Sequence, residues 1–259
     1  MTTTQRLLGV LLTMLCLISS SQALAANQEK PSKADADSAY AREDYAKAVE
    51  IYEQLLKDNG ESAELYYNLG NAYYRQDKIA SAVLNYERAM LFSPGDADIR
   101  FNLEMARSKT VDKVVPESEM FFVSSFRSLV LMMSVDQWAR VAVVAFILML
   151  ICIGLYLFVP ELWAQKLSFA GAVAFLLVCV TANIAALQQR RHIENRDGAI
   201  IMVSSIVVKS TPSDSGTDLF ILHEGTRVKL IDDAMKEWCE IRVADGKEGW
   251  VKKDKLEII

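Results

Sequence analysis

The sequence predicts a multidomain membrane protein: an all-α repeat domain, a two-helix transmembrane hairpin and a small all-β barrel. Three observations carry this. Apolar residues make up 52% of the 259, giving a mean hydropathy of +0.15, and they concentrate in three blocks, 7–18, 141–159 and 167–187, between ordinary charged segments. Residues 31–97 repeat with a 34-residue period. From Gly198 onward the pattern changes to short alternating strands.

The N-terminus combines Arg6, the twelve-residue apolar run 7–18 and the polar residues 19–22 leading to Ala23-Leu24-Ala25. That is the layout of a secretory signal peptide over residues 1–25, cleaved after Ala25. Twelve residues are too few to cross the ~30 Å hydrocarbon layer, which takes about 20 at 1.5 Å each. Met14-Leu15 ahead of Cys16 lacks the small residues of a lipid-attachment site.

Residues 141–159 are 19 without a charge, opened by Trp138 and Arg140 and closed by Tyr156 and Pro160. They predict a first spanning helix over 138–159 with aromatic anchors. Residues 160–166 read as a seven-residue loop, and the charge-free run of 21 that follows predicts a second span over 167–188. Ala170, Gly171 and Ala174 put small residues on one face of it, suited to close packing against the first helix or a partner's helix. Asn183, its only strongly polar side chain, lies near a membrane end and reads as interfacial. The linker 114–137 contains an apolar stretch, 121–134, too short to span; it reads as a helix in the membrane interface or as packing beneath the repeat domain.

Two rules disagree on orientation. Arg127, Arg140, Arg190, Arg191 and Arg196 flank the hairpin on one side against Lys166 in the loop, which favours that side as cytoplasmic. A cleaved signal followed by two spans places both soluble domains in the periplasm. The signal acts first during export, so the expectation is an inner-membrane protein with both domains periplasmic.

In the repeat domain, 27–113, the clear copy holds Tyr66, Leu69, Gly70, Tyr73, Ala82, Tyr86, Ala89 and Pro94. These resemble the tetratricopeptide (TPR) pattern, with Tyr66 where tryptophan is usual. The residue types have physical reasons: Gly70 and Ala82 are small where two helices cross closely, Tyr73 and Tyr86 fill the space beside them, and Pro94 ends the second helix. One period earlier, Ala36, Ala48, Tyr52 and Leu55 form a degenerate copy, and 100–109 adds a terminal helix that covers the open face of the stack. Tyr67, Asn71 and Tyr74, spaced i, i+4, i+7, form a stripe beside the packing stripe and are the candidate partner-binding groove. The alternative is that they pack against the neighbouring helix.

The tail, 198–259, offers five strands: 199–203, 206–209, 226–232, 238–243 and 249–251. Glu224-Gly225-Thr226-Arg227-Val228, then Trp238, then Asp245-Gly246-Lys247-Glu248-Gly249-Trp250-Val251 resemble the bacterial SH3-like domain. That resemblance implies binding of cell-wall peptides or proteins. Trp238 and Trp250 are its candidate surface, although they coincide with the pattern's own packing positions.

Charge and chemistry narrow the function. The stretch 27–119 has 18 acidic against 12 basic residues, and 188–259 has 13 against 12, so neither offers the basic field that nucleic acid requires. Cys16, Cys152, Cys179 and Cys239 lack metal or redox spacing, and His192 and His223 lie far apart. Cys239 shares a strand face with Ile241 and reads as a buried thiol. With no nucleophile–base pair, phosphate loop or metal cluster, the chain reads as non-enzymatic and free of cofactors.

Signal peptide, TPR pair, transmembrane hairpin and SH3-like tail in this order resemble the E component of the Bacteroides-aerotolerance (Bat) family. The stretch Pro94-Gly95-Asp96-Ala97-Asp98 through Arg100-Phe101-Asn102-Leu103-Glu104 into Ala106-Arg107 is similar to that family's junction after the last repeat. The resemblance covers nearly the whole chain. It implies a scaffold role beside membrane proteins with von Willebrand-type A domains and a MoxR-type ATPase, in envelope or oxidative stress tolerance.

Overall fold

A computed structural model describes residues 31–113, 126 and 128–259; the expected signal peptide and most of the 114–137 linker lie outside them. Five short helices come first: α1 (Lys33–Ala41), α2 (Tyr45–Asn59), α3 (Ala63–Arg75), α4 (Ile79–Phe92) and α5 (Ala97–Ser108). Side-chain caps start four of them. Ser32 forms a capping box with Asp35, Asp44 accepts from the Lys47 N–H, Ser62 from Leu65, and Asp96 from Asp98 and Ile99. The α1–α2 and α3–α4 turns each place one residue in the left-handed region, Glu43 (φ 62°) and Asp77 (φ 59°), 34 positions apart.

The period also governs packing. A Cβ at Gly70 would lie 2.7 Å from two carbons of the Tyr86 ring, so α3 and α4 cross at glycine distance. Ala36 holds the equivalent position against Tyr52 in the first unit and is fully buried. The Tyr52 hydroxyl donates to Asp37 Oδ1 at 2.6 Å and the Tyr86 hydroxyl to Asn71 Oδ1 at 2.8 Å, one bond being the other shifted by 34 residues. Each buried phenol therefore has its partner.

Two long helices follow, α6 (Val135–Phe158) and α7 (Leu162–Asn195), both long and apolar enough to cross a membrane. The antiparallel register is fixed at one end by Gly171, where a Cβ would meet Cys152 Sγ at 3.1 Å, and by the Tyr156 and Phe169 rings, 6.1 Å apart. At the other end Ala142, Ala145, Ala182 and Ala185 are all under 8% exposed. Three boundaries differ from expectation, the first being that α6 begins at Val135 rather than 138. The connection is Val159–Glu161 rather than seven residues, because Leu162–Lys166 forms the opening turn of the helix despite Gln165 and Lys166. At its far end α7 continues past the apolar run to Asn195, and its 34 residues reach about 51 Å at 1.5 Å each, well beyond the ~30 Å apolar layer. Of the small stripe, Gly171 faces α6 while Ala170 and Ala174 are exposed.

Ahead of α6, residues 128–130 are helical and Val130 is buried, its carbonyl accepting from Trp138 Nε1 at 3.0 Å. A Cβ at Gly95 would collide with the Met132 carbonyl, so this stretch packs beneath the repeat domain, while Phe126, Leu129 and Met132 remain exposed.

The tail forms one antiparallel sheet of seven strands: β1 (Gly198–Ile201), β2 (Ser205–Lys209), β3 (Asp218–His223), β4 (Arg227–Asp232), β5 (Trp238–Val243), β6 (Glu248–Lys252) and β7 (Leu256–Ile258), in the order β3-β2-β6-β5-β4-β1-β7. Gly225 (φ 80°) and Gly246 (φ 86°) make the β3–β4 and β5–β6 turns. Its core includes Ile201, Val208, Val228, Ile241 and Val251, with Cys239 fully buried among them; burial pushes that thiol up to about 11. Strands β3 and β7 were not anticipated. Leu219-Phe220-Ile221-Leu222 is an unbroken apolar run without alternation, and β7 is three residues long after a 3₁₀ turn.

The two soluble domains dock. Ile200 and Ile259 of the barrel share a buried cluster with Val83 and Leu84 of α4 and Ala106 of α5. Arg88 Nη2 donates to Glu257 Oε1 (3.0 Å) and to the Ile258 carbonyl (2.6 Å). Glu87, 6% exposed, takes Arg107 from α5 and Arg227 from β4. At the end of α7, Gln189 Nε2 donates to the Leu91 carbonyl at 3.2 Å. The outward face of α4 is thus covered by the barrel and by the stalk of α7.

Candidate interaction sites

With α4 covered, the open side of the repeat domain is the one formed by α1, α3 and α5. Tyr67, Asn71 and Tyr74 lie there, all half-buried. They also touch α5: Asn102 Nδ2 donates to the Tyr67 hydroxyl (2.8 Å) and to Asn71 Oδ1 (3.1 Å), and the Lys109 ammonium sits 4.3 Å from the Tyr74 ring centre. The stripe is therefore joined to the packing of the terminal helix rather than simply lying beside the packing face. Asn71 Oδ1 in particular accepts two internal bonds, which occupies the acceptor that a ligand N–H would need.

The packing residues occupy the interior as the pattern requires. Tyr66, Leu69, Ala82, Tyr86 and Ala89 are each 6% exposed or less, Pro94 is buried and Tyr73 half-buried. The Tyr66 hydroxyl donates to Glu61 at 2.6 Å, and Tyr73 donates to Glu53. Burial first, then the Glu61 bond, raises the Tyr66 phenol to about 12.

Phe101 was missed. It is 66% exposed on α5, 34 positions after Tyr67, so the repeat period itself puts it on the groove side. An exposed phenyl there adds apolar contact area that the half-buried tyrosines have partly lost.

On the barrel, Cys239, Ile241 and Val251 point into the core, so Trp238 and Trp250 project from the opposite face of β5 and β6. Glu240 lies opposite Trp250 and Lys252 opposite Trp238, making the indoles diagonal neighbours on one outer surface. Both are half-buried, and the Lys252 ammonium lies 5.4 Å from the Trp238 ring centre. This register gives the core positions of the two strands to Cys239, Ile241 and Val251 and leaves the indoles half-buried on the outer face.

A helical-repeat domain joined to a small antiparallel barrel by an apolar hairpin defines a class of interaction proteins, without a metal-binding group of His, Cys, Asp or Glu among the described residues. The tetratricopeptide repeat family profile matches residues 33–98 and the bacterial SH3 domain profile residues 204–257. The helical region and the all-β tail are thus similar to those two families, each over its own part of the chain. No curated protein matches the chain.

Proposed function

We propose that the chain is a non-enzymatic, membrane-anchored scaffold that binds a protein partner through the groove side of its repeat domain. The observation that carries this reading is the asymmetry of the repeats: one face is covered by the chain's own barrel, while the other keeps Tyr67, Tyr74 and the exposed Phe101 together. The hairpin holds the scaffold in the bacterial inner membrane, with both soluble domains in the periplasm. The resemblance to the Bat E component supports a place in a stress-tolerance complex, with von Willebrand-type A membrane proteins and a MoxR-type ATPase as partners.

The test is co-purification from membranes. Because Asn71 is tied into the core, Tyr74→Ala with Phe101→Ser is cleaner than a triple replacement that includes it. Truncating two anchors at a hot spot costs about 2 kcal/mol or more, roughly thirtyfold in affinity. Partner recovery unchanged by the double variant overturns the groove reading.

A second reading, attachment to peptidoglycan through the barrel, is favoured by the outward-facing pair Trp238 and Trp250. Loss of peptidoglycan pull-down by full-length Trp238→Ala/Trp250→Ala, with the partner retained, would select it.

A further inference from the structure

The junction between α7 and the barrel is made by Arg196, which adopts φ 27°, ψ 56°. Among the described residues the other two non-glycine residues at positive φ, Glu43 and Asp77, belong to the repeat turns. Arginine gains nothing from this conformation, and such a backbone persists only where the surroundings hold it. Its side chain is held across domains by an ion pair: the Arg196 guanidinium binds Glu61, which also accepts from the Tyr66 hydroxyl. That pair keeps the Glu61 carboxyl below its ordinary range.

At the β3–β4 turn of the barrel one carboxylate takes three donors. Asp112, four residues beyond α5, accepts from the His223 N–H (2.7 Å), His223 Nδ1 (2.9 Å) and the Thr226 hydroxyl (2.6 Å), while Gly225 between them closes on Thr110. Between these two points the seam holds the Ile200/Ile259 cluster and the Arg88–Glu257 and Arg227–Glu87 pairs, but they do not fill it. A cleft of about 450 Å³ remains where Leu84, Asn85 and Arg88 face Met202 and Glu257, and buried Asn85 Oδ1 and Arg88 Nε find no protein partner.

We propose that the barrel is a releasable clamp on the repeat domain, hinged at Arg196 and keyed by Asp112. A strained hinge held by one ion pair, a polar key and an imperfectly filled seam make the closed state one of two arrangements close in free energy. Release frees the end of α5, the helix whose Asn102 and Lys109 hold Tyr67, Asn71 and Tyr74. Because the hinge is the residue after α7, the position of the barrel is also linked mechanically to the membrane hairpin. This holds whichever surface binds the partner.

The test uses the full-length chain in detergent micelles with spin labels at Gln54→Cys and Lys236→Cys. Cys16, Cys152 and Cys179 are replaced by Ser, and buried Cys239 is left in place. Pulsed dipolar spectroscopy should show a short distance in the parent. Glu61→Gln with Asp112→Asn should raise the ratio of longer to short distances about tenfold or more, with Cys239 still unreactive towards thiol reagents. Arg196→Lys, which keeps the charge, should retain the short distance better than Arg196→Gln. An unchanged distance in the double variant overturns the clamp, since the apolar seam would then hold alone. Exposure of Cys239 also overturns it, because Asp112 would then belong to the barrel's own fold.

Discussion

Replacing Gly70 tests the repeat register directly. A Cβ there would stand 2.7 Å from Tyr86 Cδ1 and Cε1, against the ~3.5–4.0 Å of an ordinary carbon contact, so the ring must retreat by about 1 Å. Tyr86 is 1% exposed and its hydroxyl is bound to Asn71, so retreat strains or breaks that bond. For Gly70→Ala, overpacking of about 1–3 kcal/mol is offset by about 1 kcal/mol of helix propensity. The first unit accommodates Ala36 against Tyr52, so the net cost should fall at the lower end. Gly70→Leu drives a branched side chain into the same gap and also loses the Tyr86 bond, for a total of about 3 kcal/mol or more. At roughly 4 °C per kcal/mol this lowers the melting temperature by about 12 °C. Thermal melting followed by circular dichroism at 222 nm measures it, with the two long apolar helices as a constant background. A Gly70→Leu protein that melts with the parent would refute the proposed crossing and the repeat register built on it.

Acid should open the interdomain contact. Burial alone would raise the Asp112 carboxyl, but the hydrogen bonds from Thr226 and His223 outweigh it and leave it below its ordinary value. A depressed carboxylate contributes stability that is present above its unfolded value of about 3.9 and is lost as pH falls through the folded one. Glu61, lowered chiefly by Arg196, acts in the same direction. Asp112 faces His223, and Lys113, Asp245 and Lys247 line the same groove; none of them replaces the lost acceptor. The short spin-label distance should therefore persist from pH 7 to about 5 and decline below about 4; a distance independent of pH down to 3 contradicts this. For orientation, alkaline phosphatase fused after Lys113 and after Ile259 should be active in both cases, and inactivity of both reverses the proposed topology.

Local patterns in the sequence anticipate the elements whose causes are local. The 34-residue period fixes both helical hairpins and the terminal helix because small residues at 36, 48, 70 and 82 must recur wherever helices cross. Charge-free runs locate the two apolar helices, but helix ends follow backbone hydrogen bonds rather than hydropathy, so α7 begins before its apolar run and ends after it. In the barrel, alternation marks the strands with one buried face. It misses β3, where Leu219 and Ile221 are as apolar as the inward Phe220 and Leu222, although 48% and 56% exposed. Spacing within α3 selects the stripe Tyr67, Asn71 and Tyr74 but carries no information about Asn102, which arrives from α5.

The docking of the two domains left a trace in the sequence that only comparison between the repeats exposes. On α2 of the first unit, Glu50, Glu53, Gln54 and Lys57 hold the stripe that α4 fills with Leu84, Glu87, Arg88 and Leu91, each 34 positions later. In the first set Glu50, Gln54 and Lys57 are exposed, and the half-buried Glu53 accepts from Tyr73 of the next helix. In the second, the outer positions Leu84 and Leu91 are apolar, and the charges between them find partners in Arg227 and Glu257 of the barrel. A repeat that must expose the same face in every unit has no reason to differ there, whereas one whose last unit meets another domain does. The departure from periodicity at these four positions is thus a signal of intramolecular burial. It separates α4, whose outer stripe is committed to the barrel and the stalk, from the groove side that remains open to a partner.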